Sequence, residues 1–281
     1  MALGQTEFFK MTAAGNDFIV FDNRAGGIRE TDIPLLSRSL CTRALSVGAD
    51  GVILLEAASD ADVRARFFNP DGQATFCGNG ARCAARMAYL HGMAPARMRV
   101  KTDLGLHRAE VNDSDVSFEM PDPRDFDDHV EVAALGRLHH GVFVNTGVPH
   151  FVLLESSPRD GSIEAIGQAL RRHPRFAPAG VNVNFVHPVG GDVFAIRSYE
   201  RGVEGETLAC GTGCVAAALA LVSTRAAQSP VRLRTRSAAE IRVRFEGSPA
   251  RAAGVRLEGE ARLVYVGHLT DEALVGFEPS R

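Results

Sequence analysis

Phe76-Cys77-Gly78-Asn79-Gly80-Ala81 and Ala209-Cys210-Gly211-Thr212-Gly213-Cys214 are the two runs whose reading decides the fold. In each, a Cys-Gly-polar-Gly turn feeds an alanine-rich segment, ARCAARMAYL after the first and CVAAALALVS after the second. Small apolar residues behind a glycine turn read as a helix start. A helix start leaves backbone N–H groups without intrahelical acceptors and lies at the positive end of the macrodipole. A thiol placed there is expected to be drawn toward thiolate and its pKa brought toward working pH, and the same N–H groups can cradle a carboxylate. Two such thiols suit acid and base work on opposite faces of one substrate.

The flanks of the two turns repeat as well. RARFFNPDGQATF precedes Cys77 and AIRSYERGVEGETLA precedes Cys210, each a strand-like run followed by a polar, glycine-containing loop. The copies lie about half the 281-residue chain apart. A duplicated unit accounts for this recurrence. Ala84, Ala85 and Ala88 in one copy, and Ala216, Ala217, Ala218 and Ala220 in the other, make slim helices that a sheet can wrap closely. The expected fold is therefore α+β: two pseudo-symmetric domains, each a curved, barrel-like set of strands around a central helix. The expected halves are 1–120 with 268–281, carrying Cys77, and 121–267, carrying Cys210, linked by the acidic, proline-containing segment Met120–Asp128. Helices are expected over Ile33–Ser39, Ala81–His91, Ile163–Arg171 and Cys214–Ser223. Strand-like runs include Phe18–Phe21, Gly51–Leu55, Val63–Phe68, Asn182–Val186 and Val193–Ser198.

Composition bounds the partners. Hydrophobic residues make 45% of the chain and charged residues 23%, which suits a globular protein with a substantial core. A formal net charge of −3 argues against a nucleic-acid partner or a polybasic membrane surface. The N-terminal run lacks the pattern of a secretory signal, and no stretch is long and apolar enough to span a bilayer. Cysteines fall at 41, 77, 83, 210 and 214, few and odd in number, so reduced thiols in a cytoplasmic protein are expected. Cys41, Cys83 and Cys214 read as small core residues.

Several chemistries compete for the two remaining thiols. Structural zinc uses tight Cys-x2–4-Cys knuckles, and of Cys77/Cys83 and Cys210/Cys214 only the second pair has that spacing. Thiol–disulfide exchange would use Cys-x-x-Cys, which is absent. Pyridoxal phosphate requires a lysine, and Lys10 and Lys101, the two lysines of the chain, lack a phosphate-cradling context. A Cys/His hydrolase needs one thiol rather than a matched pair. Proton transfer at an amino-acid α-carbon fits best: one thiolate removes the proton from one face, and a thiol on the other face returns one. No cofactor and no metal are expected in that chemistry.

Six runs in order carry a family resemblance: Lys10–Phe21 (KMTAAGNDFIVF), Gly48–Leu55 (GADGVILL), Phe67–Cys83 (FFNPDGQATFCGNGARC), Asn145–Val152 (NTGVPHFV), Gly180–Val186 (GVNVNFV) and Tyr199–Gly213 (YERGVEGETLACGTG). Over essentially its whole length the chain resembles diaminopimelate epimerases, cofactor-independent enzymes that interconvert LL- and meso-2,6-diaminopimelate in lysine and peptidoglycan precursor biosynthesis. The resemblance implies catalytic Cys77 and Cys210 at the interface of two α/β domains, and commonly a homodimer. It also implies that Asn16, Asn69, Asn182, Glu200 and Arg201 bind substrate, with Gly78, Asn79, Gly211 and Thr212 as N–H donors to its reacting end. His150, in the GVPH turn, matches a histidine that tunes a catalytic thiol, and Glu200 suits a thiol or an ammonium. Arg201 can take the distal carboxylate in a fork.

The chain also departs from the family pattern. Val148 stands where many members carry an asparagine, Gly51 where some carry a substrate-contacting glutamine, and Thr212 where serine is frequent. The Asn69-to-Cys77 loop is one residue shorter than usual and the Glu200-to-Cys210 loop one longer. These differences leave open a related two-cysteine racemase acting on another amino acid. A metal-binding module using the cysteines is the alternative outside enzymes.

Overall fold

Alternating parallel and antiparallel strand pairs organise the chain, and the parallel ones dictate where helices must lie. The structure, a computed structural model, describes residues 5–154 and 162–274. It divides into two units, one running to Phe118 and resumed from Glu260, the other Glu119–Gly259. The first unit opens with β1 (Glu7–Ala13), β2 (Asn16–Asp22), α1 (Ile33–Cys41), β3 (Gly51–Glu56), β4 (Val63–Phe68) and β5 (Ala74–Thr75). It continues with α2 (Gly78–Leu90), β6 (Arg97–Thr102), β7 (Gly105–Asn112) and β8 (Asp115–Glu119). The second unit holds β9 (Arg124–Ala134), β10 (Arg137–Asn145), β11 (Pro149–Leu154), α3 (Ser162–Arg171), β12 (Asn182–Gly190) and β13 (Val193–Glu200). Then come β14 (Gly205–Thr207), α4 (Gly211–Ser223), β15 (Val231–Arg234), β16 (Glu240–Glu246) and β17 (Ala253–Glu260), before β18 (Arg262–His268) returns to the first unit.

The strand ladders repeat element for element. In the first unit β1 pairs antiparallel with β18 and β2, β2 runs parallel to β3, and β3 is antiparallel to β4. Strand β4 takes β5 antiparallel and β6 parallel, and β6, β7 and β8 form an antiparallel meander. In the second unit β10 pairs antiparallel with β9 and β11, β11 runs parallel to β12, and β12 is antiparallel to β13. Strand β13 takes β14 antiparallel and β15 parallel, and β15, β16 and β17 form the second meander. Parallel neighbours cannot be joined by a tight turn, so each needs a crossover. Helices α1 and α3 bridge β2–β3 and β11–β12; α2 and α4 bridge β4–β6 and β13–β15. The α+β duplication expected from the two cysteine turns is thus present in the ladder order itself.

Packing follows from side-chain alternation along the strands. Ile19, Phe21, Val52, Leu54 and Phe68 face α1, whose Ile33, Leu36 and Leu40 complete one core cluster. Phe151, Leu153, Val183, Phe185 and Tyr199 face α3, with Ile163, Ile166 and Leu170, in the matching cluster of the second unit. The intervening positions turn toward the central helices. Helix α2 touches β1, β2, β3, β4, β7 and β18, and α4 touches β10, β11, β12, β13, β15 and β16. Strands covered on both faces read as unbroken apolar runs, as GVILL in β3 does. A helix surrounded on this scale must be thin, and from Cys214 to Leu221 α4 is buried throughout.

Two expectations are corrected here. The segment Met120–Asp128 is only in part a connector, because β9 begins at Arg124 and pairs with β10. The central helices begin at Gly78 and Gly211, three residues ahead of the expected starts at Ala81 and Cys214. The expected return of the chain over 268–281 lies outside the described residues from 275 onward. Among the described residues no helix is long and apolar enough to cross a membrane.

Gly167 in α3 gives a test of the packing. A Cβ there would lie 2.5 Å from Cγ of Tyr199 and 2.6 Å from its Cβ. In an ordinary helix Gly→Ala stabilises by about 1 kcal/mol. Overpacking of this kind costs about 1–3 kcal/mol, so Gly167→Ala is expected to lower the midpoint of thermal unfolding. A raised midpoint would show that the Tyr199 ring is not held against the helix.

Candidate active site

Cys77 and Cys210 are each the residue immediately before a central helix, in extended conformation at φ −134°, ψ 119° and φ −122°, ψ 109°. The Ala81 N–H donates to Cys77 O at 2.8 Å and the Cys214 N–H to Cys210 O at 2.9 Å, so both cysteine carbonyls close a first helical turn. The glycines of that turn are required by crowding. A Cβ on Gly80 would meet the Phe67 ring at 3.1 Å, and one on Gly213 would press Asn184 Oδ1 while lying 3.2 Å from Cys210 Sγ. The sheet approaches the start of each helix too closely for a side chain.

The thiols differ in environment. Cys77 is half-buried, whereas Cys210 is 6% exposed. Burial pushes the Cys210 thiol well above its ordinary pKa, and the charge of Glu200 adds to the rise. The Thr212 hydroxyl, 3.5 Å from Sγ, and the Gly213 N–H pull it back only in part. The helix start is expected to bring this thiol down toward working pH; at Cys210 the thiol is instead raised, with desolvation the largest cause.

In the first unit, Asn79 and Asn16 are tied to a charged chain. The Asn79 amide donates to Asn16 Oδ1 at 2.7 Å, Asn16 Nδ2 donates to Asp50 Oδ2 at 2.9 Å, and Arg43 donates to Asp50 Oδ1 at 2.8 Å. Fully buried Arg82 donates to Asn79 Oδ1 at 2.9 Å. Burial would raise the neighbouring Asp17, but Arg43 and Lys10 outweigh it and hold that carboxyl below its usual range. The chain fixes which way both amides point and leaves Asn16 one N–H and one lone pair for a ligand. Asn69 is exposed, in the turn between β4 and β5, where its N–H donates to Gln73 O at 2.9 Å.

The second unit groups the remaining residues. The Arg201 N–H donates to Asn182 Oδ1 at 2.7 Å, and Thr207 donates to Glu200 Oε1. Arg201 Nη1 donates to Ala179 O at 3.3 Å, and among the described residues no carboxylate pairs with its guanidinium. Thr146 donates to the Thr212 carbonyl at 3.0 Å, tying the β10–β11 turn to the α4 start. His150 is fully buried, its Nδ1 2.9 Å from Asn184 Nδ2, and its pKa is lowered to about 3 by burial, with the Arg201 charge adding. Gly78 and Gly211 open the two helices with buried backbone.

Sequence reasoning missed Asp50, Arg82, Asn184 and Ser198. The available signal was alternation: Asn184 follows Asn182 by two along β12 and so shares its face. The other cysteines are buried; burial pushes Cys41 up to about 12 and raises Cys83. Among the described residues no cluster of three or more His, Cys, Asp or Glu has metal-holding geometry.

The pKa of His150 sets a sign for acid stability. Its ordinary value of 6.5 applies in the unfolded chain, and about 3 in the fold. The unfolded state therefore binds the extra proton first, so the stability that neutral His150 supports is complete above 6.5 and is lost as pH falls toward 3. His150→Gln is expected to flatten the acid limb of denaturant midpoint against pH in that window. An unchanged limb would contradict the assignment.

Comparison with known proteins identifies the family. The family model described as diaminopimelate epimerase matches residues 8–124 and 142–264. A diaminopimelate epimerase of Aquifex aeolicus (strain VF5) is 38% identical, over 95% of this chain and 99% of its own. Another, of Chlorobaculum tepidum, is 40% identical over 92% of this chain and 100% of its own. Among solved structures, a Bacillus anthracis phenazine biosynthesis protein of the PhzF family has a TM-score of 0.72 at 14% identity, over 94% of this chain and 99% of that one. A probable proline racemase from Agrobacterium radiobacter K84 has a TM-score of 0.69 at 18% identity, over 94% of this chain and 92% of that one. At such identities these two establish a shared fold. The family match and the relatives establish more: this chain belongs to the diaminopimelate epimerase family.

Proposed function

We propose that this chain converts LL-2,6-diaminopimelate to the meso form, with Cys77 and Cys210 as the two acid/base residues. Family membership makes it an isomerase. The observation that carries the catalytic reading is the placement of one cysteine before each central helix at equivalent points of a duplicated fold. One thiolate takes the α-proton from one face, the carbanion is held by N–H groups of Gly78-Asn79 and Gly211-Thr212, and the opposite thiol returns a proton. The scheme needs no cofactor. High proton affinity at Cys210 supports a thiol there before substrate arrives. An α-ammonium beside it would stabilise the thiolate by direct attraction. Arg201 takes the distal carboxylate, with Asn16, Asn69, Asn182 and Glu200 sharing the carboxylates and ammonium groups. His150 and Glu200 tune the thiols, and the Glu200 charge supports that role by raising Cys210.

A second reading, a racemase of the same kind acting on another amino acid, is favoured by two positions. Val148 offers no amide, and Gly51 has no room for one, since a Cβ there would lie 2.6 Å from Phe68 O. Turnover of LL-diaminopimelate against a panel of single-carboxylate amino acids separates the readings. Preference for the panel would overturn the first. Cys77→Ser and Cys210→Ser are each expected to lower kcat by about 10²–10⁴-fold with unfolding midpoints near wild type. Normal turnover in either variant would remove the two-base scheme.

We further read the protein as a cytoplasmic homodimer. None of the five cysteines is in a disulfide, which suits a reducing compartment. Val264 and Val266 are 56% and 47% exposed on β18, whose ladder partner among the described strands is β1. Apolar side chains on such an edge suit a second copy. Sedimentation is expected to give a dimer, and Val264→Asp a monomer. A monomeric wild type would sink this reading.

A further inference from the structure

The two halves of the duplicated fold differ in polarity at equivalent strand positions beside the first turn of each central helix. Ladder register sets His150 opposite Asn182 where the first unit sets Phe18 opposite Gly51. It sets Asn184 opposite Ser198 where the first unit sets Ile53 opposite Phe67. Phe18, Ile53 and Phe67 are apolar and buried, and the two rings close over Gly80. His150, Asn184 and Ser198 hold the same three places, equally buried at 0%, 0% and 3% exposure. An apolar trio evidently satisfies this packing. A buried polar trio carries a desolvation cost that packing alone does not offset.

The trio is ordered by its hydrogen bonds. Ser198 Oγ donates to Asn184 Oδ1 at 2.9 Å, and Asn184 Nδ2 lies 2.9 Å from His150 Nδ1. An amide nitrogen can only donate, so His150 Nδ1 accepts, and the single proton of the neutral ring must sit on Nε2. His150 Nε2 is itself buried with no hydrogen-bond partner among the described residues. Asn184 Oδ1 also abuts Gly213 in the first turn of α4, at the spot flanked by Cys210 Sγ. A buried N–H with nothing to donate to is unfavourable unless a ligand or an anionic group uses it.

We propose that Asn184 and Ser198 are positioning residues that lock His150 as the Nε2–H tautomer, so that its imidazole serves the second unit as a fixed hydrogen-bond donor to an anionic acceptor. A base at this position would need the opposite arrangement, with Nε2 unprotonated. The catalytic consequence rests on the two-thiol reading above; the tautomer does not.

The test is nitrogen NMR on the full chain carrying ¹⁵N-histidine, with the His150 signals assigned by their loss in His150→Gln. At neutral pH the expected spectrum shows a protonated Nε2 and a bare, hydrogen-bonded Nδ1. In Asn184→Asp a carboxylate replaces the donor, and the proton is expected to move to Nδ1 or both nitrogens to be protonated. Asn184→Asp and Ser198→Ala are expected to lower kcat about tenfold or more, the worth of one charge-assisted hydrogen bond, while Ser198→Thr, which keeps the hydroxyl, stays near wild type. A wild-type ring protonated on Nδ1, or on both nitrogens, overturns the proposal. So does a tautomer unmoved by Asn184→Asp. The wild-type spectrum decides even if a variant fails to fold. It needs no substrate, so a failed tautomer and a failed substrate assignment remain distinguishable.

Discussion

Close approach of a sheet to the first turn of a helix is the constraint on which this structure depends. Gly80 and Gly213 stand where that approach happens, with the Phe67 ring against one and Asn184 Oδ1 against the other. No side chain fits at either point, so each helix start is bare backbone directly beside a cysteine. The same closeness demands slim helices farther along, hence the alanines of α2 and α4. Strands that cover such a helix on one side and an amphipathic helix on the other are buried on both faces, hence the apolar run of β3 and the five buried residues that open β12. Fold and chemistry are thus two results of one packing requirement.

Burial then acts against the helix field. The N-terminal end of α4 offers N–H groups to Cys210, yet desolvation raises its thiol well above the ordinary range and the Glu200 charge adds to that. An interior of low polarity penalises an isolated thiolate while strengthening any charge brought next to it. Such a thiol gives up its proton most readily beside a positive charge. His150 obeys the same physics with the opposite sign, staying neutral because its imidazolium would be buried near Arg201.

Duplication supplied two equivalent frames, and the frames were then filled differently. Asn79, Asn16, Asp50 and Arg43 form a hydrogen-bonded chain that reaches the surface in the first unit. The second unit instead buries Ser198, Asn184 and His150 where its counterpart keeps two aromatic rings and an isoleucine. Ladder geometry is conserved between the halves while polarity is not. A strand fixes where a side chain points, and leaves its chemistry free wherever neighbouring partners satisfy it.

Much of this was legible in the amino-acid order. Cys-Gly-x-Gly before an alanine run, occurring twice, determined a duplicated α+β fold, because glycine freedom, thin helices and helix ends are local properties; the family was legible as a resemblance carried by six runs along the chain. Local reading failed at β9, whose exposed Asp125, Asp127 and Asp128 mask an edge strand, charge being a usual guard of such edges. It also placed both central helices late, since glycine lowers helix propensity although packing here requires it. Only the tertiary structure decided the proton affinity of Cys210 and the orientation of the His150 ring. Those follow from burial and from partners 14 and 34 residues apart in sequence, Ser198 with Asn184 and Asn184 with His150, which meet only when the strands pair.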